Sequence, residues 1–374
     1  MHLGRFHRAI ELLHTDFKSL NHVQLIQEII NSLGNLAANP SNQDIANAYK
    51  SALDRCRNAL ASSVLNHPRP ILKEMLESIE AEQFIGDALF SRIISAIEEN
   101  PAAPTLAQQA LQKVFQDTQE FYLHVTNIDN SFSVLGVEYD DLVEGEAEIG
   151  LLVPRDEQSS TLKDLSKEFN QWHNALSPIA EVFDPNAPQL QIKVCATTDW
   201  MVYLATTPLV LFGVSTCVRG VNEILRDLIE TKSLIDKLGE KNVSPEAIEK
   251  LQIEHSERGK KELRSLAEKT VDNNYKEDDD GRKNELKNAL RQSLTIIAEK
   301  ITSGAKLEVR MLPPATPESE NVSGDVVDHS ANKQVNLHTL AQSFDNEIDA
   351  LSFNGEKVDI KALLGKPEDL ETVA

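Results

Sequence analysis

Acidic side chains crowd into one short stretch of the chain, and carboxylates are common metal ligands and proton donors in proteins. The stretch contains Glu138, Asp140, Asp141, Glu144, Glu146 and Glu148. Neighbouring negative charges can raise the pKa of one member so that it donates a proton. The candidate metal ligands are Glu138, Asp140, Asp141 and Glu144. The competing interpretation is a solvated hairpin connection, because alternation places Glu146 and Glu148 on the same, solvent-facing side of a strand.

Two further polar residues stand where catalytic side chains are often found. Asp199 comes at the predicted end of a strand, and polar residues at strand ends often line clefts in open sheets. His173 lies on a predicted amphipathic helix and has the side chain of a general base, but no serine or cysteine partner is fixed by spacing. Both are candidate catalytic residues, and the alternatives are an ordinary strand-terminal aspartate and a helix-surface histidine.

The chain lacks the sequence strings that identify common nucleotide and zinc sites. GxxxxGK[ST], GxGxxG, HExxH and paired CxxC do not occur in it. Gly213–Cys217 approaches the GxSxG nucleophile elbow but lacks the final glycine that this sharp turn needs. Lys276–Gly281 suggests a calcium loop, but aligning it places lysines at two ligand positions. No cofactor is therefore predicted, and an enzyme with an unrecognised acidic or metal-dependent site is an alternative to the leading hypothesis.

Composition limits the class of protein. The chain has 374 residues, and its 59 Asp and Glu against 37 Lys and Arg give a formal net charge of −22. Such a field repels a phosphate backbone, so we do not expect nucleic-acid binding. Three scattered cysteines form neither a disulfide framework nor a metal-ligand pair, and the first residues show no export signal. We therefore expect a cytoplasmic protein.

The elements that must position these residues are mostly helices. Residues 1–117 carry apolar residues at helical spacing, interrupted by proline-containing turns, and predict an N-terminal helical bundle. Residues 118–313 predict an α+β domain with a small mixed sheet. The region near 121–128 predicts a strand or a helix-to-strand transition, and strands follow at 132–137, 147–153 and 190–195. The simplest interpretation is a β-β-β-α-β unit, with a last strand at 307–311 that rejoins the sheet. The predicted fold class is mainly α with an embedded α+β domain.

The segment from Trp200 to Val218 contains no charged residue, so a membrane-spanning helix has to be weighed against a soluble fold. Thr206, Thr207 and Pro208 interrupt the segment. They predict a buried strand that ends near Ala205 and a helix with Pro208 in its first turn, where a missing N–H costs nothing. Insertion of residues 200–218 into a membrane is retained as a third functional hypothesis.

Residues 240–303 predict a helical hairpin that is inserted into the α+β domain and protrudes from it. Together with the end of the preceding helix, it carries an apolar seam suited to another helix or subunit, as in a coiled coil. The seam residues are Leu228, Ile235, Leu251, Leu266, Leu290 and Ile297. The leading hypothesis is therefore a non-enzymatic interaction or scaffold protein that assembles with itself, as a homo-oligomer, or with a protein partner.

The end of the chain is strongly acidic. Residues 314–336 are rich in Ser, Asn, Asp and Pro and predict a flexible linker. Residues 337–374 predict an acidic segment with a hairpin over 351–360, built around the Asn354-Gly355 turn. Two interpretations stay open: the segment docks on the protein, or it adds only solubility.

Overall fold

The computed structural model describes residues 3–99, 103–154, 161–196, 200–239, 244–313 and 360–364. These residues are mostly helical and include a small four-stranded antiparallel sheet. The chain divides into two compact units, Met1–Asp141 and Leu142–Ala374. The unit boundary lies beyond the predicted boundary at residue 117, and the predicted linker at 314–336 lies outside the described residues.

The described elements of the N-terminal unit are helices. They are α1 (Leu3–Leu20), α2 (His22–Ala38), α3 (Gln43–Ala61), α4 (Pro70–Ser78), α5 (Gly86–Glu98) and α6 (Pro104–Val134), with a short 3-10 turn at Glu82–Phe84. Prolines occupy the first position of α4 and α6, where the backbone N–H has no helical partner. The Asn42 side chain caps α3 by accepting from the backbone N–H of Asp44 at 2.9 Å.

Helix α6 runs through two apolar clusters of this unit. Leu111 packs with α2, α3 and α5, and Val125 packs with α1 and α4. The predicted strands near 121–128 and at 132–137 are wrong, because α6 continues to Val134. Phe121 and Phe132 contact rings of α1 from one side of the helix. Of the apolar residues that alternated in sequence, Val125 is buried, whereas Leu123 and Val134 are exposed, so the alternation did not mark one buried face.

The C-terminal unit begins with the first strand of the sheet. Its described elements are β1 (Ala147–Val153), α7 (Leu162–Phe183), β2 (Gln191–Ala196), β3 (Trp200–Thr206), α8 (Pro208–Gly239), α9 (Pro245–Asn274), α10 (Asp280–Thr302), β4 (Lys306–Met311) and α11 (Ile360–Leu364). The end of β3 at Thr206 and the start of α8 at Pro208 confirm the predicted strand-to-helix break. Ile360, predicted as the end of a hairpin, begins a helix.

The strand order is β2-β3-β1-β4, and every neighbouring pair is antiparallel. Each pair of strands joined by a helical crossover has one other strand between its members, which is the split β-α-β arrangement. The last three elements of the predicted β-β-β-α-β unit are present as β1, α7 and β2, and the predicted last strand is present as β4. The first two predicted strands are wrong, and so is the mixed sheet, because all described pairs are antiparallel. Gly150 of β1 lies opposite Tyr203 on one side and Glu308 on the other.

Helices α7, α8, α9 and α10 pack against one another, and their apolar core is continuous with the sheet. Ile149, Val202 and Leu307 of the sheet belong to the same buried cluster as Leu290 and Ile297 of α10. The prediction of a protruding hairpin is therefore wrong, because α9 packs against α8 and α10 packs against α7. Packing within the chain buries the apolar seam that the sequence left without a partner.

Helix α8 explains the uncharged segment of the sequence. From Pro208 to Leu238 it is long and apolar enough to cross a membrane by length and composition. However, 56% of its most apolar window is buried inside the protein. The core helix of a soluble protein has the same two properties, so this helix is weak evidence for a membrane span.

Candidate interaction site

The last described segment of the chain lies on the helices of the C-terminal unit. This five-residue helix, α11, contacts α9 and also α8 and α10. Leu363 and Leu364 are 0% and 3% exposed, and Ile360 packs against the same core. Residues spaced three and four apart share one face of a helix. Helix α11 therefore inserts an apolar face into a groove, called here the α11 groove, whose walls are α8, α9 and α10.

A glycine forms the floor of the α11 groove. A Cβ atom added to Gly259 of α9 would lie 2.7 Å from Leu364 Cδ2 and 2.9 Å from Leu228 Cδ1. Carbon atoms in favourable contact are about 3.5–4.0 Å apart, so a larger residue at this position would force both leucines to move. Glycine inside a helix costs about 1 kcal/mol relative to alanine. At position 259, the absence of a side chain leaves space for Leu364.

A buried histidine fixes α9 against α8 one turn from that floor. His255 is 6% exposed, and its Nε2 lies 2.8 Å from the carbonyl oxygen of Leu228. Because a carbonyl only accepts, Nε2 carries the proton and donates it. Further along the same pair of helices, a Cβ atom on Gly220 would lie 2.7 Å from Leu266 Cδ2. The two helices thus approach each other closely on both sides of the groove floor.

The six predicted interaction residues are found on α8, α9 and α10. They are Leu228, Ile235, Leu251, Leu266, Leu290 and Ile297. Leu290 and Ile297 are fully buried between helices of the same chain. Leu228 is 1% exposed and borders the α11 groove, whereas Leu251 and Leu266 are half-buried. The seam therefore serves mainly as intramolecular core, and Leu228 connects it with the groove.

Comparison with known proteins identifies no relative. No family model, curated protein or solved structure matches this chain. The α11 groove and its occupant are therefore the features from which a function is inferred below.

The four predicted metal ligands are divided between the two units of the chain. Glu138, Asp140 and Asp141 belong to the N-terminal unit and Glu144 to the C-terminal unit. Across the described ranges, no group of three or more His, Cys, Asp or Glu side chains is arranged to hold a metal ion. Asp141 Oδ1 instead lies 3.5 Å from Nε of Arg8 on α1.

The segment that follows α6 is held against the first turns of α1. Arg5 Nε donates to Asp140 Oδ2 at 2.7 Å, and both side chains are largely buried. His7 is 2% exposed, and its Nδ1 lies 2.6 Å from the carbonyl oxygen of Val137, to which it donates. Asp140 and Asp141, two of the four predicted metal ligands, therefore pair with arginines of α1.

The two predicted catalytic residues have different outcomes. His173 is exposed on α7, and its Nδ1 lies 3.2 Å from Oγ of Ser177, one turn further along the helix. The sequence analysis missed this serine, although the four-residue spacing places both side chains on one face. Asp199 lies outside the described residues.

The structure also brings together a histidine-carboxylate group that the sequence analysis missed. Asp129 Oδ2 lies 2.8 Å from His14 Nδ1, and Asp129 Oδ1 lies 3.5 Å from His7 Nε2. A carboxylate on Nδ1 orients an imidazole for proton transfer, but it also stabilises many helix contacts. The available signal was the seven-residue spacing of the two histidines, which puts them on one face of α1.

A second polar group lies inside the N-terminal unit. His22 is fully buried, and burial lowers its pKa to about 4. Burial also raises the pKa of Asp16, whose Oδ2 lies 3.4 Å from His22 Nε2 and accepts from Ser63 Oγ at 2.9 Å. The imidazole is therefore neutral at pH 7, and protonating it opposes folding.

Glu148 of β1 was predicted to face solvent, but it is buried. Its side chain is 0% exposed, and Arg310 Nη1 of the adjacent β4 donates to it at 3.1 Å. The register explains the pair, because Glu148 lies directly opposite Arg310. Glu146 accepts from Lys193 Nζ at 2.8 Å. The Glu148–Arg310 pair joins neighbouring strands and stabilises the sheet. Lys193 lies on β2, which is separated from β1 by β3, so its pair with Glu146 links parts of the sheet that are not adjacent.

Proposed function

We propose that this chain is an interaction protein whose C-terminal unit binds a short amphipathic helix in the α11 groove. The observation that carries the proposal is the burial of Leu363 and Leu364 by α8, α9 and α10. Recognition of a helix in an apolar groove is a common way for proteins to bind a peptide segment of a partner. Helix α11 is then the resident occupant, and a helix of a protein partner takes its place.

The energetics favour an exchangeable occupant. Burying a leucine side chain stabilises by about 1.5–3 kcal/mol, so Leu363 and Leu364 together contribute about 3–6 kcal/mol. Fixing the backbone of the five residues of α11 costs about 1–2 kcal/mol per residue. The cost totals about 5–10 kcal/mol and offsets or exceeds the gain from the two leucines. Helix α11 is therefore held weakly enough for a competing helix to displace it.

A peptide titration tests the proposal on the full chain. The acceptor is the Leu363→Asp/Leu364→Asp variant, in which two charges drive α11 out of the groove while circular dichroism verifies the fold. The probe is a fluorescent peptide of residues 356–368. We expect saturable binding with a Kd of roughly 10–500 µM, and clearly weaker binding to the wild-type chain, whose groove is occupied.

The matched control is the same peptide carrying Leu363→Asp/Leu364→Asp. It retains length and backbone but loses the apolar face, so we expect it not to bind. Absence of binding of the unmodified peptide to a correctly folded acceptor would contradict the proposal, as would equal binding of both peptides.

A further inference from the structure

The shape of the α11 groove determines which helix it accepts. Leu364 is the residue of α11 that lies over Gly259, and its Cδ2 atom would lie 2.7 Å from a Cβ atom added there. Leu363, next to it, is 0% exposed, and Ile360 lies one turn earlier. The three side chains enter the groove from one face of α11. Of these, Leu364 contacts the groove floor at Gly259, where there is no side chain.

We propose that the α11 groove selects a helix carrying an aliphatic-x-x-Leu-Leu pattern. Gly259 is the residue that selects the final leucine, because it leaves space for that side chain. This inference rests on the helix-binding function proposed above. The partner it names is a protein with a helical segment of this pattern, which competes with α11 for the groove. Leucine at the final position fills the space above Gly259, whereas alanine leaves that space empty.

Gly259 lies where the occupant of the groove meets the packing of α9 against α8. A methyl group on this residue would approach two leucine side chains, Leu364 of the occupant and Leu228 of the wall at 2.9 Å. Both contacts are at the flexible ends of side chains, so the fold can adapt. Alanine is also a better helix former than glycine, and the substitution should not weaken α9 itself. Binding and folding can therefore be separated at this position.

The test is a size-complementation cycle on full-length acceptors. Both acceptors carry Leu363→Asp/Leu364→Asp, and one also carries Gly259→Ala. The probes are the peptide of residues 356–368, its Leu364→Ala variant and its Leu363→Ala variant. Thermal unfolding of each acceptor verifies that the fold is retained.

We expect Gly259→Ala to raise the Kd of the unmodified peptide at least fivefold. The same loss should appear with the Leu363→Ala peptide, which keeps the leucine that meets Gly259. With the Leu364→Ala peptide, the loss should disappear, because the smaller side chain makes room for the new methyl group. This coupling between positions 259 and 364 would show that the two residues contact each other when the peptide is bound.

Two results would overturn the selection without affecting the proposed function. In one, Gly259→Ala raises the Kd of all three peptides by the same factor. In the other, it weakens none of them. If no peptide binds the acceptor that retains Gly259, the helix-binding function itself fails, and the selection fails with it.

Discussion

The two units distribute their buried apolar side chains differently, although each also buries polar residues. The N-terminal unit distributes its apolar residues over two clusters and encloses the polar residues His22 and Asp16. The C-terminal unit gathers the inner face of its sheet and four long helices around one apolar cluster, with α11 added at its surface. A continuous apolar core can remain folded while a small surface element is exchanged. In the N-terminal unit, burial lowers the pKa of His22 to about 4, so the stability of this unit depends on pH.

The largest expected effect comes from placing a charge in the apolar core. Leu290 is fully buried, and an unpaired carboxylate at this site should cost more than about 4 kcal/mol. We expect Leu290→Asp to unfold the C-terminal unit and leave amide exchange in α1 to α6 unchanged, as measured by hydrogen-exchange mass spectrometry. The control is Leu234→Asp, because Leu234 is 55% exposed. Loss of protection in both units would show that they do not fold separately.

The next effect is acid destabilisation of the N-terminal unit. The pKa of His22 is about 4 in the folded protein, below its ordinary value of 6.5. Between these values the unfolded chain binds more protons, so the free energy of unfolding falls as the pH falls. The expected loss between pH 7 and pH 5 is about 2 kcal/mol. The raised pKa of Asp16 acts in the opposite direction, at pH values below that pKa.

Urea unfolding at the two pH values measures this loss, with protection of α2 reporting on the N-terminal unit. The His22→Gln variant is the control, since it cannot take up the proton, and its stability should change much less with pH. An equal pH dependence in the variant would assign the effect to other groups.

The smallest effects come from matched helix caps, one in each unit. Asn42 caps α3, and Thr161 caps α7 by accepting from the backbone N–H of Asp164 at 3.2 Å. Replacing either residue by alanine should cost about 1 kcal/mol. We expect Asn42→Ala to lower protection in the N-terminal unit and Thr161→Ala in the C-terminal unit, each without effect on the other. Equal changes in both units from either variant would contradict the division into two units.

The sequence predicts local features well where one residue decides the geometry. Pro208 marks the break between β3 and α8, because its missing N–H is tolerated at a helix start. The mainly helical class with a small sheet also follows from periodicity. The strand predicted at 132–137 failed because an alternating apolar pattern over so few residues also fits the end of a helix.

Long-range contacts lie beyond what periodicity reveals. The apolar residues Leu290 and Ile297 are correctly expected to be buried, but periodicity does not say whether α7 or another subunit buries them. The pairing of Gly150 with both Tyr203 and Glu308 depends on strand order, which no local pattern encodes. The fit of Leu364 over Gly259 joins residues far apart in sequence. The α11 groove was therefore not predicted, although docking of the acidic tail was one of two open interpretations.

The most direct test of an exchangeable occupant is hydrogen exchange of α9 around Gly259. It is measured in the wild-type chain and in Leu363→Asp/Leu364→Asp, without and with the peptide of residues 356–368. Release of α11 should lower protection of α8 and α9 beside the groove, and the added peptide should restore it. A loss of protection throughout the C-terminal unit that the peptide does not reverse would instead show that α11 is a permanent part of its core.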